Sequence, residues 1–314
     1  MRKTALTLAD LRRQGFVFKK RLGQHFLLHR LILDQIADGA AIEPSDLVIE
    51  IGAGAGTLTE VLAERARRVL AIELDRDLVP FLRARFAANP QVEILAGDAL
   101  DMDIDQLAAD AAGAGEAVAD EVAAGKAASG EVAAGSPAGA GQPRQPVCKI
   151  AANLPYQISA PFLTGVFRRW RSVAGGVVTV QKEVAKKIIA RPGEEGYGLL
   201  SLAAAWYGQA EIILELPPAY FTPPAPVDSA AVAFRRRRET PAVEEQALWR
   251  LIQAALGQRR KTLGNALKSL TDPGSLKGMD WRQAANAAGI DLCRRGETLS
   301  LDEFIALAQA AEAL

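Results

Sequence analysis

From Asp46 to Ala152 short β-rich runs alternate with helical stretches, and this alternation restricts the fold more than any other feature of the chain. Leu47–Ile51 predicts a strand, and Thr57–Arg67 predicts an amphipathic helix with Leu58, Val61, Leu62 and Ala66 at helical spacing. Val69–Glu73 predicts the next strand, Leu78–Phe86 a helix, and Val92–Leu95 a third strand. Cys148–Ala152 follows as a fourth, then a helix over Ser159–Arg171 and a strand over Gly176–Val180. Such a pattern builds a parallel sheet with helices on both faces, an α/β fold whose ligands sit at the carboxyl ends of the strands. After Pro217-Pro218 a proline-rich turn leads into an alternating run, Ala230–Arg235, which predicts an antiparallel hairpin at the sheet edge.

Two regions depart from the alternation. At about 106–146 the chain becomes mostly Ala and Gly with scattered acids and no aromatic side chain. It buries too little apolar surface to offset its ordering entropy, so it is expected to be a disordered or weakly helical insertion. Pro241 then opens a helical region in which Leu248, Leu251, Ile252 and Leu256 form one apolar stripe and Leu263, Ala266, Leu267 and Leu270 the next. The expected organisation is therefore a basic arm over 1–30, the α/β domain over 31–238 and a small all-helical domain over 239–314.

The formal net charge is zero, yet it is unevenly spread. Residues 1–30 hold eight Lys or Arg against Asp10 alone, whereas residues 101–146 hold eight acids against Lys126 and Arg144. A basic arm of this kind fits a polyanion partner, although a solvated tail carries the same signature. Cys148 and Cys293 lack CxxC spacing, which argues against a zinc site or a disulfide framework and suits a reducing compartment. No apolar run is long enough to span a bilayer or to serve as a signal-peptide core, so a cytoplasmic location without membrane contact is expected.

The predicted strands end on chemistry. The first runs into Gly52-Ala53-Gly54-Ala55-Gly56 and directly into a helix. Glycines permit a tight turn and close approach of a ligand, and the helix start offers free N–H groups. The spacing is GxGxG, not the GxGxxG of nicotinamide enzymes, and Glu50 stands two residues before the first glycine. A carboxylate there repels a pyrophosphate but can hold the cationic amino-acid end of S-adenosylmethionine, directly or through water. Glu73 ends the second strand, where a carboxylate can accept both ribose hydroxyls of either cofactor. Asp98 ends the third, placed to accept from an adenine amino group.

Asn153-Leu154-Pro155-Tyr156 ends the fourth. The Asn153 side-chain oxygen and the Leu154 carbonyl can accept both N–H groups of an exocyclic amine, turning its lone pair toward an electrophile. Pro155 stiffens the turn, and Tyr156 can stack on the ring that carries the amine. Methyl transfer from a sulfonium to such an amine needs positioning more than a strong base. Any one of these features alone can be an ordinary strand exit; four in order are harder to explain that way.

With these residues in place, the chain resembles the ribosomal RNA adenine N6,N6-dimethyltransferase family, in its small-subunit branch. The motifs are "KKRLGQHFLLH", "EIGAGAGTLT", "AIELDRDL", "GDAL", "NLPYQIS", "VQKEVAKKI", "GYGLLSL", "PPAYFTPPAPVDSA" and "QRRKTLGNAL". The resemblance implies a Rossmann-like methyltransferase that dimethylates two adjacent adenosines in a hairpin loop near the 3′ end of 16S rRNA, on the immature 30S subunit, acting as a monomer without a metal. S-adenosylmethionine would be the methyl donor, and S-adenosylhomocysteine the product. Cofactor contacts implied by the family fall on His25, Leu27, Gly52, Gly54, Glu73, Asp98 and Asn153. The family often has Asn where this chain has His25. The catalytic group would be Asn153, Leu154, Pro155, Tyr156 and Phe221, the last facing Tyr156 across the base or else covering the sheet edge. Arg235–Arg238, Arg259, Arg260 and Lys261 are candidates for the phosphate backbone.

Three other readings compete. The sister branch that methylates large-subunit rRNA tends to have Ile in the Asn-x-Pro-Tyr motif and to lack "FTPPAPVDS"; here Leu154 and that segment are present. A non-catalytic RNA-binding assembly factor would not need the intact Asn153–Tyr156 turn. A nicotinamide dehydrogenase is disfavoured by the glycine spacing.

Overall fold

The computed structural model describes residue 13 and residues 24–112, 147–268, 270 and 279–314. The basic arm before residue 24, residue 13 apart, and the Ala/Gly stretch over 113–146 lie outside these residues.

Strand β1 (Phe26–Leu27) precedes helix α1 (Arg30–Gly39), and the expected alternation then begins. It runs through β2 (Leu47–Ile51), α2 (Thr57–Ala63), β3 (Arg68–Glu73), α3 (Leu78–Phe86) and β4 (Val92–Ala96). After the 113–146 stretch come β5 (Cys148–Asn153), α4 (Ser159–Arg168) and β6 (Val173–Gln181). Helices α5 (Lys182–Ile189) and α6 (Leu199–Tyr207) lead to β7 (Gly208–Leu216), β8 (Phe221–Thr222) and β9 (Ser229–Arg236). Four further helices close the chain: α7 (Glu245–Gly257), α8 (Leu263–Leu267), α9 (Trp281–Ala288) and α10 (Leu301–Glu312).

The main sheet has seven strands in the order β4-β3-β2-β5-β6-β9-β7. The first five are parallel, and β9 runs antiparallel to both β6 and β7. The alternating run at 230–235 is thus the inner strand of an antiparallel pair at the sheet edge. Strand β7, whose Gln-Ala-Glu-Ile-Ile-Leu-Glu-Leu run was not assigned from the sequence, takes the edge and leaves β9 paired on both sides. A separate two-stranded ribbon pairs β1 with β8, Leu27 opposite Phe221.

Period-two alternation distributes the strand residues between two cores. Ile49, Ile51, Ile150 and Ala152 join Phe162, Phe167, Tyr207 and Phe234 on one face, continuous with Leu248, Leu251 and Phe304 of the C-terminal helices. Val48 and Ala151 join Ile36, Val61, Leu62 and Leu82 of α1, α2 and α3 on the other. On the first face the Arg168 guanidinium lies 4.1 Å above the Trp249 ring, tying α4 to α7. Helix α10 starts on a capping box: Ser300 Oγ accepts from the Glu303 N–H, and the Glu303 carboxylate accepts from the Ser300 N–H.

The insertion begins later than its composition suggests. Residues 104–112 are helical, with Ile104, Ala108 and Ala111 buried against the sheet. The Ala111 carbonyl accepts from Arg68 at 3.2 Å, and Asp105 accepts from the backbone of Arg171 and Ser172. Small side chains at helical spacing allow a close approach to the sheet, a signal that an Ala-rich composition hides. The arginine run is also divided. Arg236 donates to the Val173 and Trp170 carbonyls and lies 4.4 Å from the Tyr207 ring, and Arg237 donates to the Ala205 carbonyl. Only Arg235 and Arg238 of the four are exposed.

Candidate active site

The carboxyl ends of β2, β3, β4 and β5 face one cavity of about 300 Å³. Its wall contains His25, Gly52, Gly54, Glu73, Asp98, Asn153, Leu154, Pro155, Tyr156 and Phe221, so it gathers side chains spread over nearly 200 positions of sequence. Leu27 is the exception among the expected residues. It is buried in the β1–β8 ribbon and is not on the wall, and its carbonyl accepts from the Thr57 hydroxyl at 2.8 Å.

The glycine turn is held open by backbone conformation. Gly52 and Gly54 have φ of +74° and +57°, a region that side chains other than glycine's rarely enter. A Cβ on Gly54 would also stand 2.7 Å from the Phe26 ring, while one on Gly52 would meet only Asn153 and Pro155 at 3.9 Å, across the cavity. The turn is tied to the next strand through Glu73. Glu73 Oε2 accepts from the Gly54 N–H at 2.7 Å and Oε1 from the Asp75 N–H at 2.8 Å. Burial pushes the Glu73 carboxyl above its ordinary value, and these two amides pull it back. A carboxylate has about four lone-pair positions, more than the backbone amides occupy, so it can still accept from a ligand's hydroxyl.

Glu50 does not belong to the wall. It sits one residue before the end of β2 with its side chain under α2, 1% exposed, and its Oε2 lacks a partner. The expectation that it grips a cationic ligand end directly is therefore corrected: strand alternation sends Ile51 to one face and Glu50 to the other, beneath the glycine turn. Burial pushes its carboxyl up to about 8, with Glu73 adding to the rise and the dipoles of neighbouring Thr59 opposing it. Asp98 Oδ1 accepts from the Leu100 N–H at 2.9 Å, which fixes the carboxylate at the rim.

The β5 exit is clamped from three sides. The Asn153 Nδ2 donates to the His25 carbonyl at 2.8 Å, and the Leu154 N–H donates to the Thr179 carbonyl at 3.1 Å. The Tyr156 hydroxyl lies 2.6 Å from Ser229 Oγ. His25 Nδ1 is 3.0 Å from the Pro223 carbonyl, which can only accept, so Nδ1 donates this bond. The His25 imidazole lies beside Tyr156 with ring centroids 6.0 Å apart and planes within 19°. His25 is thus held by Pro223, Tyr156 and Asn153 while its side chain stays on the cavity wall. Phe221 is 2% exposed and reaches the cavity from the ribbon.

Several wall residues lie within the quoted motifs but were not singled out as site residues: Gln24, Phe26, Leu74, Gly97, Gln157 and Ile158. Leu74 is the informative one, because an apolar side chain 52% exposed beside Glu73 offers a flat ligand an apolar face. Among the described residues no group of three or more His, Cys, Asp or Glu is placed to hold a metal ion, and no helix is long and apolar enough to cross a membrane.

Residues 15–307 match the family model described as ribosomal RNA adenine dimethylase. The chain is similar to the ribosomal RNA small subunit methyltransferase A of Moorella thermoacetica, 37% identical over 98% of this chain and 96% of that protein. It is likewise similar to that of Pelotomaculum thermopropionicum, 39% identical over 96% of this chain and 93% of that protein. Among solved structures, a dimethyladenosine transferase from Plasmodium falciparum superposes with a TM-score of 0.66 at 22% identity, covering 90% of this chain and 96% of that one. The 23S rRNA methyltransferase ErmE superposes with a TM-score of 0.62 at 21% identity, over 91% and 99%. Both structural likenesses place the chain in the Rossmann-like methyltransferase fold.

Proposed function

The chain belongs to the ribosomal RNA adenine dimethylase family and is a methyltransferase, and from that premise we propose that it converts two adjacent adenosines, in a hairpin loop near the 3′ end of 16S rRNA, to N6,N6-dimethyladenosine. The substrate is the immature small subunit, and four methyl groups are delivered in succession. S-adenosylmethionine supplies each methyl from a sulfonium centre. The residues of the cavity fit that cofactor: an open glycine turn, a carboxylate at Glu73 that can still accept from a ribose hydroxyl, the Asp98 carboxylate for an adenine amino group, and the apolar Leu74 beside them.

The observation that carries the reading is the direction of the Asn153 amide. Because Nδ2 donates to the His25 carbonyl, Oδ1 is the atom left to accept. Asn153 Oδ1 and the Leu154 carbonyl accept the N–H groups of the target amine, drawing its lone pair out of conjugation and toward the methyl. Pro155 holds both acceptors still. Tyr156 carries the extruded adenine, with Phe221 and the His25 ring bounding the same space. After transfer the amine nitrogen loses a proton; an N-alkylated ring amine is acidic enough to give it to water. The exposed Arg235, Arg238, Arg259, Arg260 and Lys261, with the helical region 239–314, take the phosphate backbone.

Methylation of immature 30S particles with isotopically labelled cofactor, followed by mapping of the modified bases, tests the reading. Label in two neighbouring adenosines near the 3′ end of 16S rRNA is expected. Label in large-subunit rRNA, or in neither, refutes it.

A further inference from the structure

The Tyr156 ring is attached to the fold at both ends. Its backbone leaves β5 through Pro155, and its hydroxyl meets Ser229 Oγ at 2.6 Å, 73 residues later. Tyr156 itself is half-buried, whereas Ser229 is fully buried. Ser229 stands where β9 is paired on both sides, opposite Gln181 of β6 and Leu216 of β7. A strand held by two neighbours cannot shift its side chains independently, so the Ser229 hydroxyl is a fixed point. A tyrosine held at both Cβ and hydroxyl keeps the long axis of its ring, which runs from Cβ to the hydroxyl oxygen, in one direction, and the inclination of that axis sets where a base stacked on the ring would lie.

We infer that Ser229 is a positioning residue for methyl transfer: through its hydrogen bond it sets the tilt of the Tyr156 platform and so the approach of the adenine amine to Asn153 and Leu154. This rests on the proposed adenine methylation, because only a stacked planar substrate gives the tilt of Tyr156 a consequence. The hydroxyl pair is otherwise costly to explain. Phenylalanine and alanine would fill the same volumes without asking a buried oxygen to find a partner. Burial raises the Tyr156 hydroxyl above its ordinary value and the bond to Ser229 opposes that rise, so the phenol stays protonated and serves as a tether, not as an acid or base. The His25 ring lies nearly parallel to Tyr156, so loss of the tether would let the platform tilt against a neighbour that is itself held by Pro223.

The test is a double-mutant cycle on the full chain with Ser229→Ala, Tyr156→Phe and both together, assayed with labelled S-adenosylmethionine on small-subunit particles that lack the modification. Tyr156→Phe keeps the ring and removes only the tether. Each single variant is expected to lower kcat about 3- to 10-fold, the range of one hydrogen bond. The cofactor Kd, by calorimetry, and the Tm are expected to hold. The double variant is expected to be no slower than the slower single one, because both substitutions break the same bond. Multiplying losses would show that Ser229 acts on something other than Tyr156 and overturn the inference. Wild-type kcat in Tyr156→Phe overturns it too, and does so even if Ser229→Ala fails to fold. A wild-type protein that methylates neither subunit refutes the proposed function instead, so the two failures are distinct.

Discussion

Glu50 is a carboxyl with no exit from the core, and its titration should be visible in the stability of the whole protein. Its side chain is 1% exposed, one oxygen has no partner, and burial lifts it from an ordinary 4.5 to about 8. At neutral pH the native protein therefore holds a proton that the unfolded chain has released. The unfolded state binds fewer protons, so stability falls as pH rises. The contribution is complete below about pH 4.5, declines above it, and is gone once pH passes about 8. The full span is on the order of 5 kcal/mol. Between pH 6 and pH 8 the expected loss is about 2 kcal/mol. With an unfolding entropy of about 2.1 cal/mol/K per residue, that lowers the Tm of a chain of 314 residues by roughly 3 °C.

The informative variant is Glu50→Gln. An amide has the shape of the protonated carboxyl and does not ionise, and Thr59 Oγ1, buried beside Glu50, is available to accept its N–H. Thermal melts of both proteins without cofactor, from pH 6 to pH 9, give the assay. Wild-type Tm should fall across the window relative to Glu50→Gln, with the two curves closest at pH 6. Glu73 is also raised by burial but titrates in both proteins, so the difference curve belongs to Glu50 and its coupling to Glu73. Parallel curves, or a wild-type Tm that rises toward pH 8 against the variant's, would show that the carboxyl is ionised in the fold and refute the reasoning.

Asn153→Ala should lower methyl transfer by about 100-fold or more, as loss of a preset hydrogen-bonding group at a reacting centre does; filter binding should show RNA affinity within about 2-fold. Removal of 113–142 should leave the Tm and the cofactor Kd unchanged, whereas a deletion starting at residue 110 removes buried Ala111 and should lower the Tm in the same melts. Lys149→Met leaves Asp46, 3% exposed and 2.8 Å from the Lys149 ammonium, as a buried unpaired charge; urea titration should show a loss of about 3 kcal/mol.

What the sequence made legible follows the range of the interaction behind it. The strands β2 and β5 and the helix α3 were readable because period two and period 3.6 are local signals carried by Val, Ile and Leu. The four strand-end groups were readable because a parallel sheet brings its carboxyl ends together whatever lies between them. Where a residue's partner is distant, the reading stopped. His25 was expected at the cavity and lies on its wall, but that its carbonyl holds Asn153, 128 positions later, and its ring is bound to Pro223, 198 positions later, had no local signal. Arg236 and Arg237 read as part of a basic run; only the packed fold shows them donating to Val173 and Ala205. Glu50 precedes the glycines as a ligand-binding acid would, but strand alternation turns it to the other face.

Tyr156 combines both kinds of information. Its place after Asn153 and Pro155 announces a stacking ring from sequence alone. Its tether to Ser229 depends on β9 lying between β6 and β7, and the expected edge hairpin did not say which of its strands is the inner one. On an edge strand Ser229 would have one neighbouring strand and more freedom, and the hydroxyl would be a weaker anchor. The interior position of β9 is therefore what turns an aromatic at a strand exit into a platform of fixed orientation. It also explains why an antiparallel strand in an otherwise parallel half-sheet bears on the chemistry at the β5 exit.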